Sequence, residues 1–261
     1  MLAGERSLRR AALVLPIVVL AGCARESAPP PQTALGECGD VFGGQVCTWG
    51  TVAGADVVEF GATIPLATIN GAPAGGEMVW PPQPIAVLRL PDEVRTATGF
   101  DHLSMNWEPH GHPPALFLTP HFDFHFFSQT PEAIAAIDCA DLEKPAAAPV
   151  GYVLPDIDIP GMGTLIGLCV PLMGMHAMRA DQLEETDLFG GTMIVGYYDE
   201  ALISVEPMIS QAMLRQAQSF TLDVPQVPDA GVVTEWPGGF QAVFDEATQA
   251  YRFVFRTATS E

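Results

Sequence analysis

The sequence predicts a mainly β protein, folded as an antiparallel β-sandwich or barrel with one or two short helices. Several segments are rich in β-branched and aromatic residues and are bounded by glycine, proline or aspartate, as strands usually are. The chain contains 24 prolines and 25 glycines, so it turns often. Many short strands combined with few helical segments are typical of sandwiches and barrels.

Some of the predicted elements carry specific local signals. The stretch FQAVFDEATQAYRFVF indicates a hairpin with its turn at residues 246–249. Thr130 can cap a short helix that has Pro131 at its first position. The apolar spacing of EPMISQAMLRQAQ, residues 206–218, predicts a second helix of about three turns. Strands are predicted at residues 55–64, 84–90, 115–127, 192–205, 219–224 and 249–258.

The N-terminus resembles the signal peptide of a bacterial lipoprotein. Basic residues precede a short apolar run at 11–20, which is followed by Leu-Ala-Gly and then Cys23. In such signals the cysteine is lipidated and becomes the first residue of the mature protein. We therefore predict a signal peptide at 1–22, a proline-rich tether at 23–34 and a single β-rich domain at 35–261. An ordinary secretory signal or an uncleaved anchor is the alternative.

The lipoprotein signal predicts an extracytoplasmic protein of the cell envelope, held to the membrane through the lipid on Cys23. The chain is strongly acidic, with a formal net charge of −20 at pH 7. Such a charge repels phosphate backbones, so the sequence argues against nucleic acid as a partner. A homo-oligomer and an unidentified small-molecule substrate both remain open.

Four cysteines remain beyond Cys23, and an even number in an exported protein indicates two disulfides. Three pairings are open, and we favour the two that join the cysteines closest in sequence. A four-cysteine zinc site is the rival interpretation, although the chain has no Cys-x-x-Cys spacing. The favoured pairs are Cys38–Cys47 and Cys139–Cys169.

The stretch HFDFHF, from His121 to Phe126, alternates polar and aromatic residues. Because successive side chains of a strand point to opposite faces, one face is predicted to be a dry aromatic core. The other face carries groups that can bind a metal or move protons. The polar face holds His121, Asp123 and His125, and the aromatic face holds Phe122, Phe124 and Phe126.

Strand geometry limits which of these residues can share an ion. Side chains two residues apart lie about 7 Å apart, and those four apart lie about 13 Å apart. His121 and Asp123 can therefore chelate together, whereas His121 and His125 can do so only if the strand bends or bulges. Alternatively, Asp123 supports a bound histidine by accepting the hydrogen of its other ring nitrogen. A buried hydrogen-bond network without metal is a further reading of this face.

Histidines outside the strand extend the candidate site. His110 and His112 flank Gly111 in a proline-bounded loop that could fold back over the polar face. In that arrangement His112 is a candidate ligand and His110 is a supporting residue. The alternative is that both are ordinary polar side chains exposed to solvent. His176 lies in PLMGMHAM, where an isolated histidine in an apolar run needs a partner. We read the neighbouring methionines as core residues rather than copper ligands.

Glu206 follows the apolar run of a predicted strand and precedes the second predicted helix. One reading gives it the role of a negative charge at a helix N-terminus, where the helix dipole favours it. The other reading makes it an oxygen ligand or a general base.

The motifs MNWEPHGHPP, PHFDFHFF, MGMH and VEPM, in this order, resemble an uncharacterised family of bacterial exported proteins. That family is known from a hypothetical protein of Thermus and is a domain of unknown function. The likeness is expected over residues 52–221, and it implies a β-rich fold without an established activity. The family's polar residues carry over to His110, His112, His121, Asp123, His125, His176 and Glu206.

The sequence therefore predicts a lipid-anchored protein that binds a divalent transition metal, with zinc as the first choice. Imidazole and carboxylate ligands also suit copper, iron or nickel. A zinc-dependent hydrolase is one alternative, because zinc lowers the pKa of bound water. A structural or interaction module with a buried His/Asp network is the other. No His-Glu-x-x-His, Gly-x-Ser-x-Gly or P-loop motif occurs in the chain.

Overall fold

The computed structural model describes residues 30–76, 79–159, 161, 163–184 and 189–257. The predicted signal peptide, Cys23 and most of the predicted tether lie outside these residues. In the part of the chain that is described, no helix is both long and apolar enough to cross a membrane.

Two antiparallel sheets form the fold, which confirms the predicted β-sandwich. The first sheet has the strand order β1 (Gln32–Val41), β2 (Gly44–Ala53), β3 (Asp56–Pro65), β15 (Ala250–Thr257), β14 (Pro237–Asp245) and β13 (Phe220–Leu222). The second has the order β4 (Ala86–Arg89), β5 (His102–Glu108), β6 (His121–Phe127), β12 (Ala201–Ser210), β11 (Gly191–Tyr198), β10 (Met175–Arg179) and β7 (Tyr152–Val153). Strands β8 (Ile157–Ile159) and β9 (Gly163–Leu165) form a separate ribbon.

Short helices connect the strands of the described chain. The predicted cap is present, because the Thr130 side chain accepts a hydrogen bond from the Ala133 N–H at 3.3 Å. The helices α1 and α2 were not predicted. The α-helices are α1 (Leu66–Gly71), α2 (Asp92–Thr98), α3 (Pro131–Ala135) and α4 (Gln211–Leu214), and 3₁₀ helices lie at Ala115–Phe117, Ile166–Leu168 and Asp181–Glu184.

The predicted helix at 206–218 is wrong except at residues 211–214. Residues up to Ser210 belong to β12, and only Gln211–Leu214 is helical. Strand β12 lies between β6 and β11 and is buried on both faces, so its apolar run has no strand-like alternation. Pro207 lies inside this strand, although proline is rare in a central strand. Accordingly, the pairing of β12 with β6 has no pair between those of Val205 and Met208.

The strand predicted at 192–205 is two antiparallel strands, β11 and β12, joined by a turn at Asp199 and Glu200. Two predicted boundaries also shift. Strand β1 begins at Gln32, inside the predicted tether, because residues 32–34 continue the pairing of β1 along β2. The predicted strand at 115–127 begins only at His121, since Ala115–Phe117 is a 3₁₀ helix and Pro120 precedes the strand.

Both predicted disulfides are present, and the four-cysteine zinc site is therefore wrong. Cys38 and Cys47 face each other across β1 and β2 with their Cα atoms 4.1 Å apart. Cys139 and Cys169, with Cα atoms 6.0 Å apart, link the segment after α3 to the segment before β10. Two disulfides in one chain are typical of an exported protein.

The aromatic face of β6 lies in the core between the two sheets, as predicted. Phe122, Phe124 and Phe126 have no exposed surface. The Phe124 ring packs edge-on against Phe253 of the first sheet, with ring centroids 4.8 Å apart. The opposite face of β6 therefore points away from the first sheet.

The outer face of the second sheet is covered by connecting segments rather than by solvent. Side chains from residues 115–117, 165–168 and 189 pack on this face and form a second, smaller apolar cluster. As a consequence, polar residues on the outer face are also buried. The cluster consists of Leu116, Phe117, Leu168, Met178, Phe189, Ile194 and Met208.

Candidate metal centre

The polar residues of β6 meet polar residues of the neighbouring strands on the covered face. In the register of β5 and β6, Asn106 lies opposite Asp123 and Glu108 lies opposite His121. The pairs on either side of the gap in the β6–β12 ladder place Glu206 opposite His125. Glu206 therefore lies in the middle of β12, and its expected role at a helix N-terminus is wrong.

The loop before β6 folds back over this face and brings His112 onto it. The His112 N–H bonds to the Phe117 carbonyl at 3.2 Å, which closes the loop. Gly111 has φ +65°, and a Cβ at this position would lie against the Phe117 carbonyl oxygen, so glycine is required there. The rings of His112 and His121 are 4.8 Å apart between centroids.

Six side chains form two sets that could each hold one metal ion. In each set, one ligand atom from each of the three residues lies within 4.8 Å of the other two. We name the sets by their cavity-lining histidines. The His112 group is His112, His121 and Asp123, and the His176 group is His125, His176 and Glu206.

Hydrogen bonds fix the orientation of three of the four rings. The Nδ1 atoms of His112, His121 and His176 lie 2.7–2.9 Å from the carbonyl oxygens of Pro113, Thr119 and Leu168 respectively. Because a carbonyl oxygen can only accept, each Nδ1 carries the proton and donates it. Each neutral ring therefore keeps a free lone pair on Nε2, which in His121 and His176 is the atom that faces the carboxylate of its group.

The disulfide Cys139–Cys169 holds the segment that orients His176. Leu168, whose carbonyl accepts from His176 Nδ1, directly precedes Cys169. The bridge therefore connects the position of a candidate ligand on β10 to the segment after α3.

Polar atoms without hydrogen-bond partners face each other inside both groups. His121 Nε2 lies 3.3 Å from Asp123 Oδ1, and Glu206 Oε2 lies 3.3 Å from His125 Nε2 and 3.9 Å from His176 Nε2. Within the described structure, several buried atoms of these residues have no hydrogen-bond partner, which is costly unless a cation or a proton lies between them. They are His121 Nε2, Asp123 Oδ1, both ring nitrogens of His125 and both carboxyl oxygens of Glu206.

Burial favours the neutral form of both kinds of group. It lowers the pKa of His121 and His125 well below 6.5, the former also because of His112 and the latter because of His176. It lowers the pKa of His176 to about 4. Burial also raises the pKa of Asp123 and Glu206 well above their ordinary values, and nearby Glu206 and Glu108 add to the effect on Asp123. Without a metal, these contacts are therefore neutral pairs rather than ion pairs.

A cavity of about 390 Å³ opens over the two groups. Its polar lining includes one histidine and one carboxylate of each group, together with Glu108. Burial raises the pKa of Glu108 to about 7. The walls are apolar and include Trp80, Leu168, Met173, Met178, Ile194 and Met208.

All but one of the predicted His, Asp and Glu site residues belong to the two ligand groups. His112, His121, Asp123, His125, His176 and Glu206 all belong to the two groups. His110 belongs to neither: it is exposed, and its Nε2 lies 3.2 Å from the Gly76 carbonyl.

Sequence reasoning missed Glu108 and Asn106, which lie on the same face. Asn106 Nδ2 has no hydrogen-bond partner among the described residues. The signal was the alternation in HLSMNWE, where Ser104, Asn106 and Glu108 are separated by larger apolar residues.

Residues 52–107 match the model of one protein family, TTHB210-like, described as hypothetical protein TTHB210. The match begins where we expected the likeness to begin and confirms the resemblance to an uncharacterised family. It ends within β5, so both ligand groups lie beyond it. No curated protein shows a significant match to this chain. No solved structure does so either.

Proposed function

We propose that this protein binds divalent transition metal through the His112 and His176 groups, with zinc as the first choice. The observation that carries the proposal is the orientation of the rings: carbonyls accept from Nδ1, so Nε2 is left free toward a carboxylate. Histidines that bind metals usually donate their other ring N–H in this way. The neutral imidazoles and carboxylates are the donors that zinc takes in proteins.

Asp123 is a ligand in this proposal rather than a support for a ligand. The residue that supports His121 would accept the hydrogen of its Nδ1, and the Thr119 carbonyl already does so at 2.7 Å. Asp123 instead faces Nε2, the side on which the metal binds. Since imidazole and carboxylate also suit copper, iron and nickel, the choice of metal is an outcome of experiment.

Metal analysis tests the proposal directly. Protein purified without a histidine tag, incubated with zinc and passed through gel filtration, is expected to retain zinc. His125→Ala is expected to lose the ion of the His176 group, because His125 Nε2 faces Glu206 and both its ring nitrogens lack other partners. Asp123→Asn is expected to weaken binding by more than the about 10–100-fold loss that follows removal of a supporting residue, because Asp123 ligates directly in this proposal.

The control for this test is His110→Ala, which removes an exposed histidine outside both groups and is expected to leave the metal content unchanged. If wild-type protein retains no zinc, copper, nickel or iron under these conditions, the metal proposal is wrong. The polar face would then be a buried network.

We further propose that the protein is anchored to the outside of a membrane by a lipid on Cys23. The basic residues, the apolar run and the Leu-Ala-Gly-Cys sequence support this proposal, and the two disulfides support an extracytoplasmic location. Cys23→Ser is expected to prevent incorporation of a labelled fatty acid and to leave the precursor unprocessed. Equal labelling of wild type and variant would contradict the proposal, and Cys38→Ser serves as a cysteine control that keeps the label.

Metal-dependent hydrolysis is a second candidate function, favoured by the cavity over the ligand groups. Glu108 lines this cavity, and its pKa of about 7 suits a general base near neutral pH. A divalent ion would supply a bound water of lowered pKa. Hydrolase screening of zinc-loaded protein beside Glu108→Gln separates this candidate from a purely metal-binding role.

A further inference from the structure

The two ligand groups cannot collapse onto one ion. Two atoms bound to one zinc lie at most about 4.2 Å apart, because each bond is about 2.1 Å. His121 and His125 are four residues apart on β6, whose pairing with β5 runs without a bulge from His102 to Glu108. Side chains at that spacing are about 13 Å apart on an extended strand. An ion held by His121 is therefore out of reach of His125.

The two groups are nevertheless neighbours. Asp123 pairs with Met208, so Glu206 is its diagonal neighbour across β6 and β12. One histidine and one carboxylate of each group line the same cavity. Two ions held by the groups would lie side by side below that cavity.

The charges of the site allow two ions together with one bound anion. Asp123, Glu206 and Glu108 are at least nine-tenths buried, and the described lining of the cavity contains no lysine or arginine. One divalent ion would leave the three ionised carboxylates with a net negative charge. Two divalent ions would leave a single positive charge facing the cavity, and a buried charge of this kind needs a partner.

We infer that the two groups hold two divalent ions side by side, and that this pair binds the anionic oxygen head group of a small apolar ligand in the cavity. The inference rests on the proposed metal site. The surplus positive charge selects an anionic head group such as a carboxylate. The methionine, leucine, isoleucine and tryptophan side chains of the walls select an apolar body.

Zinc stoichiometry tests the first half of the inference. Wild-type protein loaded with zinc and passed through gel filtration is expected to hold two ions per chain. His112→Ala and His176→Ala are each expected to hold one, and His110→Ala is expected to hold two. Where an alanine variant does not fold, the glutamine variant at the same position replaces it.

The outcomes separate this inference from the proposed function. One ion per wild-type chain overturns the two-ion centre and leaves the metal site standing. No ion at all overturns both. Two ions retained by both His112→Ala and His176→Ala would show that the ions lie elsewhere, which also overturns the inference.

Calorimetric titration with octanoate tests the second half. Zinc-loaded protein is expected to bind octanoate saturably, and zinc-free protein is expected not to. Acetate keeps the head group without the apolar body, and octanol keeps the body without the anionic head. Both are expected to bind at least about tenfold more weakly than octanoate. Equal binding of octanol, or equal binding of octanoate by zinc-free protein, would show that the ions do not hold the head group.

Discussion

Replacing Glu206 by glutamine is expected to stabilise the zinc-free protein at pH 8, although it changes one member of a buried polar pair. Burial raises the pKa of Glu206 well above its ordinary value of 4.5. At pH 8 the unfolded chain carries this carboxylate ionised, so folding must either bury the charge or take up a proton. Glutamine avoids both, and its amide can donate to His125 Nε2, which lies 3.3 Å from Glu206 Oε2. We expect a gain of more than about 1 kcal/mol in the free energy of unfolding.

The same substitution is expected to abolish the stabilisation that zinc gives. A metal that binds only the folded state adds about 3–4 kcal/mol at 100 to 1,000 times its dissociation constant. Glutamine lacks the negative charge that holds the ion of the His176 group. Urea unfolding of wild type and Glu206→Gln, with zinc and with EDTA, measures both effects.

The dependence on pH tests whether the gain in stability of Glu206→Gln comes from the ionisation of Glu206. Because the folded-state pKa of Glu206 is raised, its penalty is absent below the unfolded pKa, grows as pH rises from the unfolded value to the folded value, and is constant above it. The gain from glutamine should therefore be smaller at pH 5 than at pH 8. Glu246→Gln, at an exposed position in the turn between β14 and β15, is the matched control and should change stability by less than about 0.5 kcal/mol. If Glu206→Gln destabilises the zinc-free protein at pH 8, the carboxyl belongs to a stabilising network instead.

The sequence predicted those strands in which the alternation of apolar and polar residues matches the two faces of the strand. The alternation of residues 121–126 was readable because β6 has a strictly apolar face against the first sheet and a polar face opposite. Strand β12 was not readable in the same way. Its outer face is covered by connecting segments, so Met208 and Ile209 are both buried and the period of two disappears.

The candidate site was predictable to the extent that its residues are close in sequence. His121 and Asp123 were recognised as neighbours on one face, and the separation of His121 from His125 followed from strand geometry. The distant partners His176 and Glu206 could be named only as isolated polar residues in apolar runs. Their pairing depends on the order β6–β12–β11–β10, which no local pattern contains. The side of the ring that Asp123 faces depends on the Thr119 carbonyl, a contact that sequence does not specify.

Truncating Phe124 is expected to lower stability by about 3–5 kcal/mol without removing the metal. The ring has no exposed surface and packs against Phe253 and Phe122, with centroids 4.8 and 5.8 Å away. Phe124→Ala therefore leaves a cavity in the core between the sheets. Its two neighbours in sequence, Asp123 and His125, point to the opposite face, so the ligand atoms keep their positions in the variant that folds.

The alternation on β6 thus predicts that substitutions at neighbouring positions have different effects, one on metal binding and the other on stability. His125→Ala should lose an ion and change the stability of the zinc-free protein less than Phe124→Ala does, because the His125 ring nitrogens make no hydrogen bond in the described structure. Phe244→Ala, at a half-buried position of β14, is the matched control for loss of a phenyl ring and should cost less than Phe124→Ala. Urea unfolding and zinc content, measured on the same preparations at a temperature where every variant is folded, give both readouts. Loss of zinc from folded Phe124→Ala would mean that the two faces of β6 are not independent, and the assignment of metal binding to the polar face alone would fail.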